Sequence, residues 1–376
     1  MEKLLENFAR GEVAALKLRR LFESYGFQKT VLSKFEDYAL YVDNRRFLNT
    51  ESIITFMDLD GKLMALRPDV TLSLVKNAPE KDTGCRERLY YTEEVFRLSK
   101  ENREYKMVDQ IGLELIGKND PFSNLEVLYL ALESLGVISP DFILDISHSG
   151  FVSGMFEGME LSYADESRIF KSIHAKNSWE LSGILEDLGT APERKRQIIA
   201  LLELDGPLKE SLVKAKKLIA NPVMEKAWQE LCQLSEILCA NGWAEKVHLD
   251  FSVVNDLTYY NGLIFKGYIQ NIPSAVLFGG RYDKLLQRLG KENGAIGFAI
   301  SLNALDDYFQ RGEGKEVDYL ILYDAGADIA SLMQKARELR RDGSAVRVER
   351  LSAIGDERLI RCKQRFYFQQ NQLVKG

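Results

Sequence analysis

The sequence predicts an α+β fold, a mainly antiparallel sheet flanked by helices, and three features of the chain predict it. Apolar alternation on both sides of the Asp60-Gly61 pair marks a β-hairpin. Between about Gly154 and Trp243, Glu, Lys and Leu recur at helical spacing and β-branched runs disappear, so a helical insertion interrupts the sheet. Beyond Gly312–Lys315, which reads as a linker, a strand–helix–strand pattern forms a short C-terminal α/β appendix.

Taken in order, Leu4, Leu5, Phe8, Leu18, Leu21 and Phe22 recur at helical spacing and predict an N-terminal amphipathic helix, with Gly26 as its C-cap. SIITFMDLD and KLMALRPD form the hairpin, and a helix follows from about Val70 to Asn77. LYYTEEVFRLS and MVDQIGLELIG read as strands joined by a polar loop, Lys100 to Lys106. Phe122 to Leu135 predicts a helix and ILDISHSGF a strand. Strand character returns after the insertion in KVHLDFSVV, YYNGLIFKGYI and AVLFGG. In the appendix, VDYLILYD and SAVRVERL flank a helix from about Ile329 to Arg341, with no glycine-rich phosphate turn. The expected divisions are 1–153 and 244–311 for the two parts of the core, 154–243 for the insertion, and 316–376 for the appendix.

The chain has 376 residues, 45% hydrophobic and 28% charged, a composition ordinary for a soluble globular protein. Its formal net charge of −6 weighs against a protein that coats nucleic acid, which needs a basic field. Cys85, Cys232, Cys239 and Cys362 are scattered without a CxxC pair, so reduced thiols in a cytoplasmic protein are expected, with neither metal nor cofactor. No apolar run reaches the roughly 20 residues that span a bilayer, and the charged N-terminal helix is unlike a targeting peptide. His148, His174 and His248 are far apart, and each reads as a structural or surface histidine.

Gln110, Gly112 and Glu114 alternate along a predicted strand and so share one face. By themselves they fit either a solvated sheet face or a site for a ligand bearing an ammonium or amide group. The wider order of motifs bears on this choice: LRPDVT at Leu66–Thr71, VFR at Val95–Arg97, QIGLELIG, TYYNGLIF at Thr258–Phe265, GGRYD at Gly279–Asp283, then IGFAI. In this order and spacing the chain resembles the catalytic core of the histidyl-tRNA synthetases, from its first helix to about Leu305. That resemblance implies a class II aminoacyl-tRNA synthetase fold, commonly dimeric, and a histidine-like pocket. The residues it implies for the ligand are Asp69, Thr71, Arg97, Gln110, Glu114, Tyr259 and Tyr260. Carboxylates attract an ammonium, tyrosine hydroxyls bond an imidazole nitrogen, and the Arg97 fork suits a carboxylate or phosphate.

The departures from the family pattern point away from catalysis. Asn255 and Asp256 stand where the synthetases carry an arginine-glycine pair, and Ala304, after Asn303, stands where motif 3 carries an arginine. Losing one preorganised donor costs roughly 3–4 kcal/mol, so two independent losses slow amino-acid activation by about four to six decades. Leu98 and Ser99 replace the usual motif 2 pair, and Ser33 replaces the motif 1 proline, which bears on the usual dimer interface. This profile resembles the non-catalytic branch of the family, whose members regulate ATP phosphoribosyltransferase. The resemblance implies a short-form catalytic subunit of that enzyme as partner, L-histidine as effector, and a role in histidine biosynthesis and its feedback inhibition. Two other readings are a divergent histidine–tRNA ligase and a sensor of uncharged tRNA. The appendix is not notably basic and looks short for an anticodon-binding domain, which disfavours tRNA recognition.

Overall fold

The computed structural model describes residues 10–44, 53–80, 84–98, 103–118, 120–254, 260–305, 317–341, 343–355 and 360–376. Contacts between Cα atoms separate two units, Ala14–Leu305 and Asp306–Gly376 with Met1–Val13.

Helix α1 (Arg10–Ser24) belongs to the larger unit from Ala14 onward, and the chain leaves it through Gly26 in the left-handed region, φ +79°. Strands β1 (Gln28–Lys29) and β2 (Phe35–Asp37), helix α2 (Tyr38–Asp43), strands β3 (Thr55–Met57) and β4 (Leu63–Leu66) and helix α3 (Val70–Asn77) follow. Then come the long strands β5 (Glu87–Leu98) and β6 (Tyr105–Gly117), helix α4 (Pro121–Ile138), strand β7 (Phe142–His148) and helix α5 (Ser149–Gly154). Helices α6 (Tyr163–His174), α7 (Ser178–Asp187) and α8 (Pro192–Ala200) lead to strand β8 (Asp205–Pro207), helix α9 (Leu208–Ala215) and helix α10 (Pro222–Ala240). The unit closes with β9 (Val247–Asp250), β10 (Leu263–Ile269), β11 (Leu277–Arg281), α11 (Asp283–Arg288) and β12 (Gly294–Ser301).

Nine strands form one sheet in the order β1-β5-β6-β12-β11-β10-β7-β9-β8. Its pairs are antiparallel except β1 with β5 and β7 with β9. The hairpin β3–β4 and strand β2 make a separate three-stranded antiparallel sheet.

One face of the large sheet is covered by α1 and α4. Phe22 of α1 sits against Tyr90 and Phe298, ring centroids 6.0 and 5.9 Å apart, and Leu135 of α4 lies over Gly267. On the opposite face the register aligns Leu89, Glu114, Gly297, Gly280, Ile264 and Ser147 in one row across six strands. Two adjacent positions of that row lack side chains, and this opens the face beside Glu114.

The insertion is not wholly helical. Its β8 pairs with β9 and completes the sheet, and Lys176, which follows α6, bridges Asp205 at 2.6 Å and Asp250 at 2.9 Å. The strand expected over ILDISHSGF ends at His148, where the imidazole Nδ1 accepts the Gly150 N–H and starts α5. KVHLDFSVV is extended only over Val247–Asp250, because the Asp250 carboxylate takes the Ser252 N–H and turns the chain.

In the smaller unit β13 (Val317–Tyr323), α12 (Ile329–Arg341), β14 (Val346–Arg350), β15 (Cys362–Gln369) and β16 (Gln372–Lys375) form a sheet ordered β14-β13-β15-β16. β13 runs parallel to both β14 and β15, so the pattern is βαβ with an added hairpin. The hairpin turns at Gln370 and Asn371, both at positive φ (46° and 61°), as a two-residue turn of that hand requires. Ile321, Leu332, Ala336 and Phe368 pack on one side of this sheet, and Leu320, Leu322 and Ile360 on the other. The sequence linker Gly312–Lys315 lies outside the described residues.

Candidate functional site

The site is assembled on the open row of the sheet, with α3 laid against it. Arg67 fixes the approach to α3. It is fully buried, and its Nη1 donates to the Ser33 carbonyl at 2.9 Å. Its Nη2 donates to Glu93 Oε2 at 2.7 Å and to the Glu94 carbonyl at 2.9 Å. This ion pair is supported by hydrogen bonds on both partners, the condition under which a buried charge is tolerated. At the other end of α3, Lys291 is buried and its Nζ donates to the carbonyls of Lys76 and Ala78, closing the helix C-terminus.

Asp69 caps α3, its Oδ1 accepting the Leu72 N–H at 2.9 Å. Its Oδ2 lies 3.8 Å from Arg97 Nη2, and Arg97 Nε donates to the Pro68 carbonyl at 2.7 Å. Two residues into the helix, the Thr71 hydroxyl donates to Glu114 Oε1 at 2.8 Å. The second oxygen of Glu114 accepts the Tyr282 hydroxyl. Glu114 is only 2% exposed, and burial, reinforced by the Asp69 charge, pushes its carboxyl up to about 8 despite these two hydrogen bonds. Tyr91 and Tyr260 face the same charges. Burial first, then the Glu114 and Asp69 carboxylates, holds both phenols well above the usual tyrosine range.

Glycine at two positions makes room for this cluster. A Cβ on Gly297 would lie 1.8 Å from Glu114 Oε2, and one on Gly280 would lie 2.6 Å from Tyr260 Cδ1. The second glycine of GGRYD and the second glycine of GAIGFA therefore make the room that Tyr260 and Glu114 occupy over the sheet.

Of the residues expected from the sequence, Asp69, Thr71, Arg97, Glu114 and Tyr260 come together here. Gln110 shares the strand face of Glu114, half-buried opposite Glu93 and Ser301. Tyr259 lies outside the described residues, as do Asn255, Asp256 and Ser99. Sequence reasoning missed Tyr282 and Tyr91. The first was visible in GGRYD, and the second stands two places along β5 from Leu89, which pairs with Glu114. Ala304 is half-buried in a helical turn at 302–305, and the preceding Asn303 is tied to β6, its Oδ1 accepting the Asp109 N–H at 2.5 Å. Chemically the cluster offers carboxylates and phenols to an ammonium or imidazole and one guanidinium to an anion.

A mainly antiparallel sheet with helices on one face and a polar ligand-type cluster on the other is the class II aminoacyl-tRNA synthetase architecture. The family model described as histidyl-tRNA synthetase matches residues 1–305. An ATP phosphoribosyltransferase regulatory subunit from Halothermothrix orenii is 30% identical, over 87% of this chain and 79% of the relative. Another so named, from Oceanobacillus iheyensis, is 27% identical over 92% of this chain and 85% of the relative. Among solved structures, a protein described as an ATP phosphoribosyltransferase regulatory subunit/histidyl-tRNA synthetase from Bacillus halodurans superposes with TM-score 0.73 at 23% identity, covering 95% of this chain and 93% of that one. A chain of the ATP phosphoribosyl transferase (HisG:HisZ) complex from Thermotoga maritima gives TM-score 0.61 at 19% identity, covering 79% of this chain and 98% of that one. The chain belongs to the histidyl-tRNA synthetase family, in its branch of ATP phosphoribosyltransferase regulatory subunits.

Proposed function

We propose that this chain is the regulatory subunit of an ATP phosphoribosyltransferase, acting in the first step of histidine biosynthesis without making or breaking bonds itself. The observation that carries this reading is the match to regulatory subunits along nearly the whole chain. Its partner is the catalytic phosphoribosyltransferase, the component that accompanies the related subunit in the Thermotoga maritima complex. Ala304 supports the non-catalytic role, because a methyl group supplies neither charge nor donor to a phosphate. Asn255 adds to this from the sequence.

The cluster of Asp69, Thr71, Arg97, Gln110, Glu114 and Tyr260, with Tyr259, is read as the site of L-histidine as feedback effector. Carboxyl groups for the ammonium, phenols for the imidazole and a guanidinium for the carboxylate match that ligand group by group. Coupling of such a site to a transferase is worth typically ~1–3 kcal/mol. A cytoplasmic location follows from this role, and no helix among the described residues is long and apolar enough to cross a membrane.

Self-association as a dimer is supported by the small sheet, where Phe35 on β2 and Phe56, Met57, Leu59 and Leu63 on the β3–β4 hairpin are exposed, the Phe35 and Phe56 ring centroids 5.6 Å apart. Ser33, in place of the motif 1 proline, shapes the start of β2: its Oγ accepts the Phe35 N–H and donates to the Phe35 carbonyl.

Co-expression with a short-form catalytic subunit tests the reading. The two proteins are expected to co-purify, phosphoribosyl-ATP formation to depend on this chain, and L-histidine to inhibit the complex. Histidine- and ATP-dependent pyrophosphate exchange leading to charged tRNA would overturn it.

A further inference from the structure

His148 stands at the end of β7 with its two ring nitrogens engaged in different directions. Nδ1 accepts the Gly150 N–H at 3.1 Å and so carries no proton. The ring proton is therefore on Nε2, which faces Glu230 Oε2 of α10 at 3.2 Å. The His148 side chain is 8% exposed and that of Glu230 37%, so the contact closes over a buried imidazole from the solvent side. The hydrogen bond from His148 also holds the Glu230 carboxyl below the usual range.

The next residue reaches the segment that leads from Tyr260 into β10. Ser149 and Gly262 bind each other twice: the Ser149 N–H donates to the Gly262 carbonyl at 2.8 Å, and the Gly262 N–H to Ser149 Oγ at 2.6 Å. Gly262 has φ +95°, and a Cβ there would lie 3.8 Å from His148 Nε2 and 3.5 Å from Arg281 Cδ. Asn261 is clamped from the other side, its N–H on the Arg281 carbonyl at 2.8 Å and its Nδ2 on Asp283 Oδ2 at 3.1 Å. Tyr260 is the residue before this clamp.

We propose that His148 is a positioning residue for the ligand site and that Glu230 places it, so that a shift of α10 reaches Tyr260 through Ser149 and Gly262. The helical insertion then reads, and is read by, the state of the cluster around Glu114. The inference rests on the reading of that cluster as an amino-acid site. It needs no change of protonation, only the loss or recovery of one hydrogen bond.

The test uses the full-length protein with Glu230→Ala, Glu230→Gln and His148→Asn. Glu230 is partly exposed on its helix, and Asn is itself a good N-cap, so these changes leave the core and the start of α5 intact. Hydrogen exchange by mass spectrometry is followed in peptides covering 260–266, with α4 as the internal reference, and L-histidine is titrated calorimetrically. Glu230→Ala and His148→Asn are expected to speed exchange at 260–266 about fivefold and to weaken L-histidine by a similar factor, with α4 unchanged. Glu230→Gln, whose amide oxygen still accepts from Nε2, is expected to restore both. Unaltered exchange in Glu230→Ala, or no rescue by Glu230→Gln, overturns the proposal. If the unmodified protein takes up no L-histidine, the amino-acid reading of the cluster falls, and the exchange result alone decides the relay.

Discussion

The hydroxyl of Tyr282 donates to the carboxyl group of Glu114, two residues 168 positions apart that the sheet brings into one buried cluster with Thr71. The pairing explains how a carboxyl group only 2% exposed is accommodated: both of its oxygens have a donor, yet burial still favours the protonated form.

A pH dependence of stability follows from Glu114. Its carboxyl is raised from 4.5 to about 8 on folding, so the folded state holds the proton more tightly than the unfolded one. The corresponding stabilisation is complete below the unfolded value and is lost as pH climbs toward the folded one, with a slope of at most about 1.4 kcal/mol per pH unit. Urea unfolding between pH 5 and 8 is expected to show a falling midpoint, and Glu114→Gln to flatten that trend. A wild-type profile as flat as that of the variant would contradict the assignment.

Gly297→Ala is expected to be costly. The added methyl meets Glu114 Oε2 at 1.8 Å and the Leu113 carbonyl at 2.3 Å, and the second contact is backbone that cannot swing aside. Overpacking of this kind costs about 1–3 kcal/mol. Denaturant titration of Gly297→Ala, with and without Glu114→Ala, is expected to show that the second change recovers only part of the loss.

Arg67→Met removes the cation that joins Ser33, Glu93 and Glu94. Glu93 then stays buried without its partner, at a cost of about 3–5 kcal/mol. Pairing Arg67→Met with Glu93→Gln is expected to lower that cost in a double-mutant cycle of unfolding free energies, and additive losses would count against the ion pair.

For self-association, Met57→Asp with Leu59→Asp places two charges on side chains that are 62% and 105% exposed. Fold and Tm are expected to hold while the mass measured by light scattering drops toward that of one chain. A dimer unaffected by both changes would mean that this patch is not the contact.

Much of this architecture was legible because local signals agreed with it. The periodicity of Val70–Asn77 and the alternation of Gln110, Gly112 and Glu114 placed a helix and a strand face where the structure has them. Asp69 was legible only in part: its place before the helix also marks it as a cap, which the emphasis on ligand carboxylates passed over. Tyr282 was hidden by distance along the chain, since only the pairing of β6, β12 and β11 carries it to Glu114. Strand β8 was hidden by composition. Asp205-Gly206-Pro207 has turn chemistry, and only the edge of β9 makes it extended.

That last strand changes what kind of object the insertion is. Cutting 154–243 out of the gene would strip β9 of its outer neighbour and leave a row of amides and carbonyls bare at the sheet's margin, an invitation to intermolecular stacking. The helices between the two halves of the core are thus stitched into its weave, and a minimal version of this protein has to keep at least the thread at Asp205–Pro207.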